Sequence, residues 1–593
     1  MSLMSSLYTG VSGLGSNQRG LTVAAHNLSN VETEGYVRQQ METTDAFYSR
    51  FGQNHISPMK LGYGTDVTSV KQVRDVFLDK TYREEFGREG FYRSQYEATV
   101  ETEDIFGETE GVAFQNYLHG FWISLQELCK EPDSIVTRSE IIQTATSFIE
   151  RAEGIYKQIQ EYQESLNTQV QVYVDRINSI AQEIFDLNGK IQKIEASGFE
   201  NANDLRDIRN QRLDELSEII KIDYKEDAKG VVTIYAENYA LVTNDIVFKM
   251  DTKPISEETN LIEPYWPVYD NVDVFDFAKL PNAQCDTDIG ALKGLLLARG
   301  DHVGRYTDKP IEPKKEDFTE NGVFDSISYN AEMIKYEEAL EKYQIGVEGS
   351  VLVGIEVQFD NLVHGIVTML NDTFCPNKEV TLSNGEKIMI LDQENAPVGM
   401  DENNTPGEAL FNRKSMPRYT YRNITVIGEG GVPETYGAYV YNQEDPSDNY
   451  SLFTIGEIEV NQEILANPSL LPLSDNRGTG DYAIKTCEEL LANWQAGWDT
   501  VSPTDTSLQN FNGYYTDMLG LLGNNGERFK HLSESQESLV GSVDGQRQSV
   551  LAVSSDEELT YIIKFQQGYN ANSRFISTVA QMLEHLVTSL GRG

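Results

Sequence analysis

Leu7, Leu14, Leu21 and Leu28 recur every seven residues at the start of this 593-residue chain, and a second heptad series runs from Leu559 to Leu590 at its end. A seven-residue apolar stripe covers one face of a helix and has to be buried against a stripe of similar period. The two termini are therefore expected to meet in a coiled coil. A chain that returns to its own start reads as a rod, with everything between carried as an excursion.

In the second series Leu559, Gln566, Ser573, Ala580 and Val587 alternate with Ile562, Tyr569, Ile576, Leu583 and Leu590 at steps of three and four. Ser555 followed by Glu558 reads as a capping box and Gly591 as the stop. The first series is interrupted by Gly10, Gly13, Gly15 and Gly20, each about 1 kcal/mol worse than Ala in a helix interior. Small residues also let backbones approach, so this segment is expected to order only when packed.

Between the ends, a heptad series from Ile141 to Ile194 predicts a long rod-like helix. It has one defect: Tyr162, Leu166 and Val170 make two successive steps of four, a stutter at which the helix is expected to straighten or break. A late stripe, Phe529, Leu532, Gln536, Leu539, Val543, Gln546 and Val550, is expected to give the C-terminal half of this stem. Alternating stretches at 36–43 and 65–73 predict strands, with Gly62 and Gly64 as their turn. Further strands are expected at 231–235 and 240–248, helices at 329–343, 351–370 and 482–498, and turns with short strands over 379–464, including the segment from Gly428 to Gly431. The fold class is thus α+β and multidomain: a terminal helical coiled-coil core and a long helical stem, with inserted β-rich domains. The units are expected at 1–50 with 556–593 (axial core), 51–230 with 476–555 (stem), 231–300 with 346–475 (β-rich outer domain) and 301–345 (inserted projection).

Lys and Arg number 48 against 93 Asp and Glu, a formal charge of −45. Nucleic acid or an anionic membrane would be repelled by such a chain. No basic segment precedes Arg19 and no apolar run approaches the length of a membrane span, so a soluble chain without membrane insertion is expected. Cys129, Cys285, Cys375 and Cys487 are far apart in sequence, without CxxC spacing, which argues against a zinc site or a disulfide framework, and all four read as buried thiols. The seven histidines are dispersed, and neither His-Glu-x-x-His nor a phosphate-binding glycine loop occurs. Asp401 and Glu402 read as a solvated turn, and the many tyrosines as β-domain core. No catalytic residue, metal site or cofactor is expected.

The residues His26, Asn27, Leu28, Ser29 and Asn30, followed by Thr33, Glu34, Gly35 and Tyr36, resemble the N-terminal signature of bacterial flagellar rod, hook and hook-associated proteins. Phe565, Gln566, Gln567, Gly568 and Tyr569 with Asn570, Ala571 and Asn572 resemble the matching C-terminal end. Glu34 departs from the pattern, where relatives usually carry proline. Internal matches, among them Arg74 and Asp75, Asn178, Asn188, and Asn203 to Asp207 with Arg209, Asn210 and Leu213, narrow the resemblance to the junction between hook and filament.

The resemblance implies a non-enzymatic structural adaptor, exported unfolded by the flagellar type III system and assembled outside the cell as a ring of identical subunits. Its implied partners are hook protein, the second junction protein (hook-associated protein 3) and an export chaperone that covers the C-terminal helix. The assembly interface is expected at Leu7, Leu14, Leu21, Leu28, Leu559, Ile562, Tyr569, Ile576, Leu583 and Leu590. The motif residues are Asn27, Leu28, Asn30, Gly35, Tyr36, Phe565, Gln566, Tyr569 and Asn572. The alternatives are another axial component, hook protein or filament-side junction protein, or an adhesin or glycan-binding module displayed on a filament.

Overall fold

The computed structural model describes residues 3–53, 58–107, 113–198, 200–256, 259–320, 323–401, 405–427, 433–474 and 483–590. Residues 428–431, Glu402 and Gly591 lie outside them. The chain opens with helix α1 (Leu3–Ser29) and an antiparallel hairpin, β1 (Gln39–Gln53) with β2 (Pro58–Gln72). Gly62 and Gly64 are not its turn, because both lie within β2, paired to Tyr48 and near Phe47. The alternation at 36–43 and 65–73 marked only the base of a longer ribbon.

The helical stem follows as α2 (Val76–Phe106), α3 (Phe114–Lys130), α4 (Ile135–Glu195) and α5 (Asn203–Ile219). Asp75 caps α2, its carboxylate accepting from the amides of Phe77 and Leu78. Helix α4 runs unbroken for 61 residues, about 90 Å at 1.5 Å per residue. The stutter does not interrupt it. The two steps of four turn polar Gln163 and Asn167 inward instead, and both are buried. Gln163 donates to the carbonyls of Arg299 and His302, and Asn167 donates to Asn260 and accepts from the Ile262 amide.

Two three-stranded sheets lie along α4: β3 (Ile222–Glu226), β4 (Val232–Ala236) and β5 (Tyr239–Val242), then β6 (Asp251–Pro254), β7 (Ile262–Trp266) and β8 (Val272–Asp273). Each is held to the helix by an asparagine whose amide pairs both ways with a strand backbone. Asn188 does so with Val232 and Asn178 with Met250. An amide carries one donor group and one acceptor, so it substitutes for a neighbouring strand at each edge.

Helix α6 (Ala291–Arg299) packs on α2. A segment with the two-residue strands β9 (Thr319–Glu320) and β10 (Val323–Phe324) leads to the largely exposed α7 (Ser326–Gly346). Helix α8 (Val351–Phe374) is long and apolar enough to cross a membrane, but it is the buried central helix of the protein, with Phe359, Leu362, Val363 and Ile366 inaccessible. Beyond it, β11 (Asn377–Thr381), β12 (Lys387–Leu391), β14 (Tyr419–Ile427) and β15 (Pro433–Tyr441) form one sheet in the order β11-β12-β15-β14, while β13 (Phe411–Arg413) pairs with β16 (Ile458–Val460). Tyr421 and Tyr439 face outward from this sheet in edge-to-face contact, whereas Tyr156, Tyr514 and Tyr515 fill the core, so only part of the tyrosine content is internal. Helices α9 (Gln462–Ala466), α10 (Ile484–Gln495), α11 (Phe511–Leu551) and α12 (Ser555–Leu590) complete the chain.

The stem pairing is a correction to the stripe reading. Helix α11 runs against α2 and touches α8, while α4 packs on α3 and α5. On α11, Val543 is buried, but Leu532 and Leu539 of the late stripe are exposed. One apolar core extends from Ala98 to Leu522 through stem helices, β4–β7 and α8; the β11-β12-β15-β14 sheet has a small core of its own around Ile390, Ile424 and Val440, and Tyr343, Val347, Val353 and Val357 form another where α7 meets α8. The sheets expected together in one outer unit share no strands.

Candidate assembly interface

Helices α1 and α12 pack along each other, and the row of α1 that faces α12 is one of small residues. Gly10, Gly13, Asn17, Gly20, Ala24 and Asn27 follow steps of three and four. A Cβ on Gly20 would stand 2.7 Å from the Phe565 ring, and one on Gly10 2.8 Å from Ile576. Asn572 lies over Gly13, and Gly568 in turn admits Asn17. Three of the glycines that weaken α1 as a free helix, Gly10, Gly13 and Gly20, are thus the holes into which α12 inserts its knobs, while Gly15 faces open space. Leu7, Leu14, Leu21 and Leu28 flank this row and are half-buried.

On α12, Ile562, Phe565, Tyr569, Asn572, Ile576 and Leu583 are half-buried against α1, and Val579 is buried. The alternating row is different. Leu559 is 47 % exposed, and Gln566, Ser573, Ala580 and Val587 also face away. Leu590 ends the helix, and its side chain lies outside those described. The cap is Ser554 rather than Ser555, its hydroxyl accepting from the Glu557 amide. Glu558 is drawn elsewhere, to Arg38.

The N-terminal motif residues build the turn out of α1. Asn27, 1 % exposed, donates to the Gln39 carbonyl at 2.9 Å and accepts from the Gln39 amide at 3.0 Å and the Tyr36 hydroxyl at 2.8 Å. His26 Nδ1 meets the same hydroxyl at 2.9 Å, and Asn30 folds back on the His26 carbonyl. Burial, with Asp204, Asp207 and Glu558 nearby, holds the Tyr36 phenol well above its ordinary range, so it stays a donor. Gly35 sits at φ 75°, where a Cβ would collide with Gln211, whose amide donates to the Glu34 carbonyl. This turn needs glycine at 35; it tolerates Glu34.

Below the turn, the hairpin, α2, α5 and the α11–α12 break converge on buried charges. Arg547 of α11 donates to Asp79 at 2.7 Å and Asp214 at 2.6 Å and lies over the Tyr82 ring; Arg74 and Arg83 complete the pairs with Asp79 and Asp214. Asp214 and Asp79 hold the Arg547 guanidinium above its usual range. Asp207 accepts from the Val37 amide and Gln72, yet burial pushes its carboxyl up to about 7. Arg38 stitches the break: its amide donates to Leu551, the last residue of α11, and its guanidinium pairs with Glu557 and Glu558 at the start of α12. Sequence reading did not single out Arg547, Asp79, Asp214 or Arg38. Isolated charges on otherwise polar helix faces give no periodic signal.

Among the described residues no cluster of three or more His, Cys, Asp or Glu could hold a metal ion. Residues 99–310 match the model for the flagellar hook-associated protein FlgK helical domain, and residues 549–589 that for the flagellar basal body rod FlgEFG protein C-terminal. Flagellar hook-associated protein 1 of Bacillus subtilis (strain 168) is 24 % identical over 99 % of this chain and 98 % of its own length. The protein of the same name from Escherichia coli (strain K12) is 22 % identical over 98 % of this chain and 100 % of its own. In fold, the chain is similar to the flagellar hook junction protein FlgK from Burkholderia pseudomallei, with a TM-score of 0.50 and 12 % identity, covering 79 % of this chain and all of that one.

Paired terminal helices closing an unbroken stem, with modules inserted between, define an axial structural protein of the bacterial flagellum. The helical-domain match and the full-length relatives point to one of them, while the C-terminal match is to the rod proteins. The chain is similar to flagellar hook-associated protein 1 over nearly its whole length.

Proposed function

We propose that this chain is a structural adaptor subunit of the hook–filament junction, on which the filament is assembled. The observation that carries the reading is the unfilled side of the terminal helix pair. Met4, Tyr8 and Val11 on α1, and Leu559, Ile563, Met582, Leu586 and Val587 on α12, are exposed in the single chain. A two-helix hairpin with apolar residues left outward is half of an interface, and packing identical hairpins around an axis would bury it. Gly10, Gly13 and Gly20 with Ile562, Phe565, Tyr569, Asn572, Ile576 and Leu583 then close the pair, Leu7, Leu14, Leu21 and Leu28 flank it, and the exposed row meets neighbours.

Its partners in this reading are further copies of itself, hook protein on one side and the second junction protein on the other. A chaperone covers α12 before type III export to the cell exterior, because an apolar helix face is a liability in a free subunit. The role is non-enzymatic. Electron microscopy of cells lacking the protein, with flagellin assayed in the medium, tests it. Complete hooks without filaments and free flagellin outside are expected. Truncated hooks would move the protein to the rod or hook, and intact filaments would favour a displayed binding module.

A further inference from the structure

Helices α3 and α10 cross the core as an antiparallel pair, with Trp122 and Trp494 stacked at 5.4 Å and 15° between ring planes. Cys129 lies seven residues after Trp122 on α3, and Cys487 seven residues before Trp494 on α10. Antiparallel helices in one register bring equal offsets face to face, so the cysteines form the next layer but one, two turns along. The Cys129 thiol is 3.6 Å from the Cys487 carbonyl. We propose that Cys129 and Cys487 are a disulfide-forming pair that fastens α3 to α10 once the folded chain meets an oxidising medium.

Two further observations support the pairing. Each thiol perturbs the other: Cys129, with Arg138 nearby, draws the Cys487 thiol below its ordinary range, while Cys487 and burial push Cys129 up. Cys487 is the better thiolate, and the half-buried Cys129 is the more accessible sulfur. The other two cysteines are placed differently, Cys375 buried with its thiol on the Gly407 carbonyl and Cys285 exposed.

The reaction is a two-electron oxidation. Each thiol gives up one proton and one electron as the Sγ–Sγ bond forms, and a small-molecule disulfide takes both electrons and both protons and leaves as two thiols. The bond would tie residues 358 apart in sequence. A chain closed in this way cannot be threaded as a single strand, so under the export reading above it forms only after passage. The chemistry itself is independent of that reading.

The test uses the full chain carrying Cys285→Ser, reduced, desalted and then exposed to oxidised glutathione under native conditions. Two of the remaining thiols should disappear, a peptide joining Cys129 to Cys487 should appear by mass spectrometry, and dithiothreitol should reverse both. The thermal midpoint should rise by several degrees on oxidation, with no rise in Cys129→Ser or Cys487→Ser. An unchanged thiol count, or a link that involves Cys375, would overturn the pairing. Neither result touches the junction role, which the deletion phenotype scores separately.

Discussion

Asn27 shows how one side chain makes a motif. Its amide satisfies both backbone groups of Gln39 and the hydroxyl of Tyr36, and an unpaired polar group in such a site costs about 1–3 kcal/mol. Asn27→Ala is therefore expected to destabilise the turn by about that amount, read as faster amide hydrogen exchange at Gln39 with the stem unchanged. Asp207 carries a different signature. Its folded carboxyl titrates at about 7 against an ordinary 3.8, so between those values the folded chain holds a proton that the unfolded chain has released. Stability from this group is fullest below the ordinary value, falls as pH rises toward 7, and is flat above. Asp207→Asn removes the slope. In urea titrations the variant should gain on the wild type between about pH 4 and about pH 7 and not above; a constant difference would contradict the assignment. The resemblance made Asn27, Gly35 and Tyr36 visible as a set, but not their partners, because Gln211 and Gln39 are ordinary polar residues until the chain brings them together.

At the scale of the element, periodicity located both terminal helices and mistook which row of α1 faces the partner. The leucines and the small residues share the same seven-residue period, and hydrophobicity alone selects the leucines. What decides is the bulk of Phe565 and Ile576 opposite, which fits only glycine at 10 and 20. Gly20→Leu should therefore force the helices apart at a cost of about 1–3 kcal/mol. It should abolish incorporation into flagella, as should Leu583→Asp, while near-ultraviolet circular dichroism from the stem aromatics stays as in the wild type. Normal incorporation of either variant would remove the seam from assembly. The stutter in α4 teaches the converse. A break in apolar period was legible at Tyr162 to Val170, but its use was not, since buried Gln163 and Asn167 look like surface residues until the end of α6 and strand β7 arrive to pair with them.

For the whole molecule the decisive quantity is charge. A net −45 is spread over a chain that packs beside its own copies in the proposed ring, so like-charge repulsion opposes assembly at low ionic strength. Moderate salt should strengthen self-association of the purified chain in sedimentation experiments, and a flat response would argue against close-packed neighbours. The overall plan of ends together and modules between followed from two stripes alone. The pairing of α11 with α2 did not, because a stripe states that a partner exists and not which one.

Arg38 and Leu551 hold the two ends of the stem side by side, each one step from a terminal helix. The first helix made and the last helix made are thereby neighbours before they touch. Until the stem has folded, closing the seam means joining the ends of nearly the entire polymer, with the loop entropy that implies; afterwards it is an encounter between tethered segments. The timing of folding follows: α1 has the β1–β2 hairpin beside it from the outset, but its helical partner is the last segment of the chain, so the seam zips last and fast.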